Sequence, residues 1–286
     1  MIVRCTFLLG FSAIKMIIFL RGLLLIVVGL FLIALITAAF FSDRMIFQPQ
    51  QQGYRDQPNI LKLTSSDGAN ISAMYLVNPQ ADFTVLFSHG NAEDIGDDQP
   101  LLERIKAAGF AVFAYDYQGY GTSEGRPSEV HAYEDEDAAY NFLVQSMHVQ
   151  PNRIIAFGRS VGSGPACDLA SRRPVAGLIL ESAFTSAFRV MTRVRVLPFD
   201  TFDNLRKIKS VRCPVLIVHG TEDSVINSSH GKELVAAANE PKQALWVEGA
   251  NHNDVAFVGG TRYSDSLKAF AALIQQSQSQ ASSAKP

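Results

Sequence analysis

The stretch Arg153-Ile-Ile-Ala-Phe-Gly-Arg-Ser-Val-Gly-Ser-Gly164 decides the fold of this 286-residue chain. Its first residues form an apolar run typical of a buried β-strand, and a helical pattern follows Gly164. Between the two, Gly158 and Gly162 flank Ser160, and glycine permits a sharp turn where neighbours leave no room for a Cβ atom. A Gly-x-Ser-x-Gly match alone is typical of many turns. The strand before it and the helix after it indicate a serine held out beyond the end of a sheet.

A serine hydroxyl reacts when other groups activate it, so the chain should also supply a base, an orienting acid and N–H donors for an oxyanion. Three loops with suitable groups each follow an apolar, strand-like run. His89-Gly-Asn91 follows residues 83–88, His219-Gly-Thr-Glu-Asp223 follows residues 215–218, and Gly249-Ala-Asn-His252 follows residues 244–247. The chain order Ser160, Asp223, His252 is one of the known orders of a catalytic triad and differs from the orders in the chymotrypsin and subtilisin folds. It predicts Ser160 as nucleophile, His252 as base and Asp223 as acid.

Other interpretations of these polar residues remain open. Asp223 could instead cap a helix, and Glu181, directly after the strand-like residues 177–180, is a second position from which such a sheet can present an acid. His89 is interpreted as a residue that shapes its loop through hydrogen bonds. The remaining candidates are interpreted as surface residues: His131, His148 and His230.

Five motifs together resemble a known family: His89-Gly-Asn-Ala-Glu-Asp-Ile-Gly96, Tyr115-Asp-Tyr-Gln-Gly-Tyr-Gly-Thr-Ser123, the turn at Ser160, Cys213-Pro-Val-Leu-Ile-Val-His-Gly-Thr-Glu-Asp223 and Gly249-Ala-Asn-His-Asn-Asp254. The chain resembles the α/β-hydrolases over about residues 45–275. Within that superfamily it resembles the membrane-anchored abhydrolase-domain proteins, which include protein depalmitoylases, and their bacterial serine-aminopeptidase-like relatives. The resemblance implies an oxyanion hole formed by the backbone N–H groups of Val161 and Asn91, and neither a cofactor nor a metal.

The expected activity is that of a serine hydrolase acting on carboxylic esters or thioesters. We expect medium or long acyl chains, carried by a lipid-like small molecule or an acylated protein, and an acyl-enzyme intermediate. Two alternatives remain: an aminopeptidase of the same fold, which would need an acidic pocket for the substrate amine, and a membrane-anchored binding module that keeps the fold without catalysis.

Composition and strand pattern indicate one large α/β domain. With 48% hydrophobic and 18% charged residues the chain can bury a sizeable core, and its net charge of −2 gives no electrostatic basis for nucleic-acid binding. Three cysteines at unrelated spacings suggest neither a disulfide framework nor a metal site.

Residues 60–64 and 71–76 are predicted to form an antiparallel hairpin. The later apolar strands alternate with helical patterns and predict a mostly parallel sheet with helices on both faces.

The N-terminus contains an uncharged apolar stretch, residues 22–42, long enough to span a membrane as a helix. Arg4, Lys15 and Arg21 precede it, whereas Asp43 and Arg44 follow as a balanced pair. The positive-inside rule then places residues 1–21 in the cytoplasm and the catalytic domain on the non-cytoplasmic side of a single-pass anchor. The competing interpretation is a cleaved signal peptide, for which Thr37-Ala-Ala39 is a poor small-residue cleavage site.

The remaining boundaries follow from polarity and from the spacing of the strands. Residues 43–58 are predicted to be a linker, residues 59–275 the hydrolase domain and residues 276–286 a flexible tail. Residues 183–213, the one sizeable insertion between strands, are predicted to form a small cap. An acyl pocket is expected beneath Phe184, Phe188 and Leu197; the simpler alternative is a helix that links two strands.

Overall fold

A computed structural model describes residues 3–192 and 200–283. The chain divides into two compact units, residues 1–45 and residues 46–286. The first consists of one helix, and the second consists of a sheet with helices on both of its faces.

Helix α1 spans Val3–Ile46 and is longer than the predicted anchor at residues 22–42. Residues 16–20 are apolar, so the helical pattern extends toward the N-terminus, and no proline interrupts it before Pro49. Its stretch Lys15–Thr37, 23 residues with exposed apolar side chains, is long and apolar enough to cross a membrane. By length and composition a signal sequence near the N-terminus would satisfy the same criterion.

In the described part of the second unit, eight strands form one sheet in the order β1-β2-β4-β3-β5-β6-β7-β8. Their bounds are β1 Ile60–Thr64, β2 Asn70–Leu76, β3 Thr84–Ser88, β4 Ala111–Tyr115, β5 Ile154–Arg159, β6 Gly177–Glu181, β7 Val215–Gly220 and β8 Lys242–Val247. The first two pairings, β1 with β2 and β2 with β4, are antiparallel, and all the others are parallel. The predicted hairpin followed by a parallel sheet is confirmed.

Helices cover both faces of the sheet, so the central strands β3 to β7 are buried along their whole length. The helices are α2 Gln99–Ala107, α3 Glu129–Asn141, α4 Ser163–Arg172, α5 Ala187–Thr192, α6 Asn204–Lys207, α7 Ser229–Ala237 and α8 Val255–Ser283, the last with a break at Gly260. Two apolar clusters, one on each face, form the core. The carboxyl ends of the parallel strands therefore meet at one edge, where this type of sheet places its functional loops.

Two predicted segments, the linker and the tail, differ from the structure. Residues 43–46 of the predicted linker are helical, and Phe47 is buried in the core against Tyr117, Tyr120 and Phe202, because its large apolar side chain is more stable there than in water. Helix α8 continues to Ser283 through most of the predicted tail, since Gln, Ser and Ala do not break a helix. The predicted cap contains α5 and α6; Leu197 lies outside the described residues.

Candidate active site

The turn after β5 places Ser160 at the carboxyl edge of the sheet. Ser160 has a φ of 52°, a left-handed conformation that is uncommon for a residue with a side chain. A Cβ atom at Gly158 would overlap the Gly162 carbonyl oxygen, and one at Gly162 would overlap the Ser88 carbonyl oxygen. Both glycines are therefore required by close backbone contacts, as the sequence predicted, and the turn carries the chain from β5 through Ser160 into α4.

The structure brings the three predicted catalytic side chains together. His252 Nε2 lies 2.9 Å from Ser160 Oγ, and His252 Nδ1 lies 2.8 Å from Asp223 Oδ2. Asp223 is in the loop after β7 and His252 in the loop after β8, so two further strand ends of the sheet supply the partners of Ser160. Ser160 and His252 are each 8% exposed, and Asp223 is 6% exposed. With a proton on Nδ1, the imidazole donates to Asp223 and accepts the Ser160 hydroxyl through Nε2.

The surroundings of Asp223 favour its charged form. Burial raises the pKa of Asp223, but hydrogen bonds involving His219 and His252 outweigh burial and hold that pKa well below its usual value. Asp223 Oδ1 also accepts the N–H groups of Val225 at 2.9 Å and Ile226 at 2.7 Å. Asp223 is therefore an anion near neutral pH, hydrogen-bonded to the His252 ring.

Glu181, the other acid left open by the sequence, has different partners. Its Oε2 accepts the Tyr263 hydroxyl at 2.6 Å, and its Oε1 lies 3.6 Å from Arg159 Nε. Burial raises the pKa of Glu181. In the structure the position beside His252 Nδ1 belongs to Asp223.

The loop after β3 lies directly against the turn at Ser160. A Cβ atom at Gly90 would lie 3.5 Å from Ser160 Cβ, which places the Gly90 backbone beside Ser160. The Asn91 side chain is fixed: its Nδ2 donates to the Ile46 carbonyl at 2.6 Å and its Oδ1 accepts the Tyr120 hydroxyl at 2.7 Å. Val161 follows Ser160 in a short 3-10 turn that continues into α4. The two predicted oxyanion donors, Val161 and Asn91, thus belong to segments that flank Ser160.

Two histidines outside the triad have structural partners. His89 is fully buried and its Nδ1 lies 2.7 Å from the Gly90 carbonyl oxygen, in agreement with its predicted role in shaping the loop. His230, predicted at the surface, is buried: its Nδ1 accepts the Thr185 hydroxyl at 2.9 Å. The prediction was wrong because the partner, Thr185, lies far away in the sequence. His148 is exposed, as predicted.

Two cavities lie next to the loops of the triad. One, of about 430 Å³, is bordered by Asp223, Thr185, Arg189 and Val190 and is lined mainly by polar side chains. The other, of about 230 Å³, is lined by four carboxyl groups and by Arg159; the carboxyl groups belong to Glu93, Asp97, Asp98 and Glu181. Of the residues predicted to line an acyl pocket, Phe184 is packed in the core and Phe188 on α5 is half-buried.

One group of side chains outside these loops has the composition of a metal site. Ligand atoms of Asp67, His131 and Glu134 lie within 4.8 Å of one another, in the β1–β2 turn and the first turns of α3. Such exposed acidic groups are common without an ion. The group shares no residue with the triad and lies outside the loops that carry the triad.

The family follows from comparison with curated proteins. The chain is 43% identical to α/β hydrolase domain-containing protein 17B of Xenopus tropicalis over 213 residues, which cover 72% of each chain. It is 42% identical to human protein 17B over the same length and coverage, and 40% identical to protein 17C of Xenopus tropicalis over 237 residues, 80% of this chain and 74% of the relative. The chain belongs to the α/β hydrolase domain-containing 17 family.

A family model and several solved structures also match this family member and support its assignment to the α/β-hydrolase fold. Residues 79–203 match the family model described as serine aminopeptidase, S33. Among solved structures, the Pyrococcus furiosus esterase Pf2001 aligns with a TM-score of 0.66 at 19% identity, covering 78% of this chain and 98% of the esterase. The esterase RhEst1 from Rhodococcus sp. ECU1013 aligns with a TM-score of 0.59 at 22% identity, covering 75% and 98%. This family member is an α/β hydrolase with the α/β-hydrolase fold.

Proposed function

We propose that this α/β hydrolase is a membrane-anchored serine hydrolase that cleaves carboxylic esters or thioesters with medium or long acyl chains. The observation that carries the proposal is the hydrogen-bonded series Asp223–His252–Ser160 beside a left-handed turn at the serine. Groups in this arrangement convert a weak hydroxyl into a nucleophile.

The reaction has two halves. Ser160 Oγ attacks the acyl carbon while its proton passes to His252 Nε2; the bond to the leaving oxygen or sulfur then breaks as His252 returns the proton to that atom. Water attacks the resulting acyl-enzyme with His252 again as base, and the carboxylic acid leaves with Ser160 restored. Asp223 stays charged throughout and stabilises the imidazolium in both halves.

The oxyanion that forms in each half of the reaction is best stabilised by hydrogen-bond donors that already point toward it. The backbone N–H groups of Val161 and Asn91 are proposed for this role because they lie on the segments that flank Ser160. Val161 stands at the entry to α4, whose positive end faces the developing charge and adds to the hydrogen bond. No metal or cofactor takes part in this scheme.

The acyl preference is argued from the anchor and from α5. Each methylene removed from water contributes about 0.8 kcal/mol, so enclosing two or three of them changes kcat/KM by more than about tenfold. Helix α5 carries the half-buried Phe188 and borders, through Arg189 and Val190, the cavity beside Asp223. We propose that the acyl chain packs against the apolar side chains of Phe188 and Val190 on this helix, and that the anchor keeps the enzyme at the membrane in which such substrates dissolve.

We expect p-nitrophenyl esters of increasing chain length, tested on the full-length chain in detergent, to show kcat/KM rising more than about tenfold from acetate to octanoate. Phe188→Ala should reduce this ratio, whereas Val130→Ala, at an exposed apolar position on α3, should not. A maximum at acetate with no effect of Phe188→Ala would contradict the acyl proposal and leave a hydrolase of small esters.

The proposed topology has the N-terminus in the cytoplasm and the hydrolase domain on the other side, since Arg4, Lys15 and Arg21 precede the apolar centre of α1. Protease added outside the cytoplasmic membrane of intact cells should then digest the domain. Digestion only after permeabilisation would reverse the orientation. A mature N-terminus beginning after Ala39 would show that the segment is a signal peptide.

An aminopeptidase is the second candidate, favoured by the cavity lined with Glu93, Asp97, Asp98 and Glu181. An acidic cavity of this kind suits a substrate amine. Neither Ser160 nor His252 lines it, and Arg159 already occupies the space between its carboxyl groups, so the esterase proposal is preferred.

Amino-acid p-nitroanilides in the same assay separate the esterase from the peptidase. A higher kcat/KM for the anilides than for every ester would favour the peptidase. Hydrolysis of neither class would favour a binding module.

A further inference from the structure

Arg159 directly precedes Ser160, and its guanidinium is buried among acidic side chains. Arg159 is the last residue of β5 and is 5% exposed. Its Nη1 contacts both carboxylate oxygens of Glu93 and lies 3.4 Å from Asp98 Oδ1, and its Nε lies 3.6 Å from Glu181 Oε1. A charge this deeply buried is costly unless it is paired on several sides, as it is here.

The partners of Arg159 belong to the other loops of the active site. Glu93 Oε1 accepts the Gly90 N–H at 2.7 Å, so Glu93 holds the Gly90–Asn91 backbone that lies against Ser160. Arg159 Nη2 donates to Asn253 Oδ1 at 3.1 Å, and Asn253 is the residue after His252. One guanidinium therefore connects the turn of the nucleophile, the loop of an oxyanion donor and the loop of the base.

The Nε side of the Arg159 guanidinium also has a fixed partner. Glu181, at the end of β6, is held by the Tyr263 hydroxyl of α8 at 2.6 Å and keeps Arg159 from moving away from the loops. Burial, with the nearby charge of Glu93, raises the pKa of Asp98 well above its usual range. Glu93 accepts from Nη1 and Asn253 accepts from Nη2, so these two hydrogen bonds fix the orientation of the guanidinium plane.

We propose that Arg159 is a positioning residue for catalysis: it sets the distance between the Gly90–Asn91 backbone, Ser160 and His252 without touching the substrate. This inference rests on the proposed serine-hydrolase function. The planar fork of an arginine can bond Glu93 and Asn253 at the same time, whereas a lysine ammonium offers a single point of charge on a flexible stem. Small misplacements of catalytic groups lower rates strongly, by about a hundredfold for 1 Å.

The test compares Arg159→Lys with Arg172→Lys in the full-length protein. Arg172 also pairs with two carboxylates, those of Asp137 and Asp168, but on α4 at an exposed site away from the loops. We expect Arg159→Lys to lower kcat about 10- to 100-fold with little change in KM, and Arg172→Lys to leave both within about twofold. The affinity for a boronic acid, which forms a tetrahedral adduct at the serine, should fall in parallel with kcat, a change that loss of stability alone would not produce in folded protein.

Two further variants keep the inference testable if Arg159→Lys does not fold. Glu93→Gln keeps an acceptor for the Gly90 N–H but loses the ion pair, and Asn253→Ala removes the link to the His252 loop alone. Each should lower kcat more than KM, and their combined effect should be smaller than the product of the single effects, because both act through Arg159. Wild-type kcat and boronate affinity in Arg159→Lys, or in both other variants, would overturn the inference.

Failure of this inference differs from failure of the proposed function. If wild-type protein does not react with a fluorophosphonate at Ser160, the serine-hydrolase proposal fails. If wild-type and Arg159→Lys proteins react at Ser160 at the same rate, the hydrolase proposal stands and the positioning role of Arg159 is rejected.

Discussion

Replacing Ser160 by Ala is expected to lower kcat for a p-nitrophenyl ester by about 10⁴- to 10⁶-fold. The physical reason is that the proposed acyl-enzyme cannot form without the Ser160 oxygen, which lies 2.9 Å from His252 Nε2. His252→Ala should cost a similar factor because no other base reaches that oxygen in the described structure. Ser171→Ala, at a helical serine of α4 whose hydroxyl bonds its own helix, is the matched control and should retain wild-type kcat.

The double variant Ser160→Ala/His252→Ala gives a second measure of the same claim. Residues that act as a unit show effects that do not multiply, so the double variant should be scarcely slower than either single variant. Losses that multiply would mean that the two residues act independently. Wild-type hydrolysis by Ser160→Ala would remove the serine-hydrolase proposal altogether.

The second large effect concerns the acid. Asp223→Asn keeps the size of the side chain but loses the negative charge that stabilises the imidazolium, and it favours the wrong tautomer of His252. We expect kcat to fall by about 10⁴-fold. Glu181→Gln should cost much less, because Glu181 contacts Arg159 and Tyr263 and not His252 Nδ1.

Measuring kcat and the midpoint of thermal unfolding for both variants separates a catalytic effect from a structural one. Asp223→Asn should lose activity in protein that remains folded. A larger loss of kcat in Glu181→Gln than in Asp223→Asn, at equal folded fraction, would reverse the assignment of the acid.

Much of the sheet could be predicted because its signals are local. The strands β3 to β7 are short apolar runs bounded by turn residues, and each ends where a polar loop begins. The proximity of Ser160, Asp223 and His252 then follows from geometry, since the carboxyl ends of parallel strands share one edge. The turn at Ser160 was equally predictable, because close backbone contacts demand both of its glycines.

The network around Arg159 could not be predicted in the same way. Glu93 is 66 residues and Asn253 is 94 residues from Arg159, so no local pattern joins them. The position of Arg159 directly before the predicted nucleophile was the one local signal in the sequence, but the partners of Arg159 depend on how four loops pack. The choice between Asp223 and Glu181 was open for the same reason: both acids follow a strand, and tertiary geometry alone separates them.

Segment boundaries were predicted least well. Polar residues suggested a linker from residue 43, but helix α1 continues to Ile46 and Phe47 then enters the core. Gln and Ser suggested a frayed tail, but α8 continues to Ser283, with Ile274 buried and Gln278 bonded to the Asn152 carbonyl at 2.8 Å. At the first boundary the burial of Phe47 outweighed the polar composition around it, whereas at the second the Gln, Ser and Ala residues are compatible with a helix and simply continue α8.

The most direct test of the central claim is to trap the acyl-enzyme. Full-length protein mixed with an octanoyl thioester and quenched in acid within the first turnover should carry one octanoyl group, which peptide mass spectrometry should locate on Ser160. Asp223→Asn, with slowed turnover, serves as a second source of the adduct. A stoichiometric octanoyl group on Ser160 is the result that the account predicts. Hydrolysis of the thioester with the acyl group on another residue, or with no adduct at any time in either protein, would contradict it.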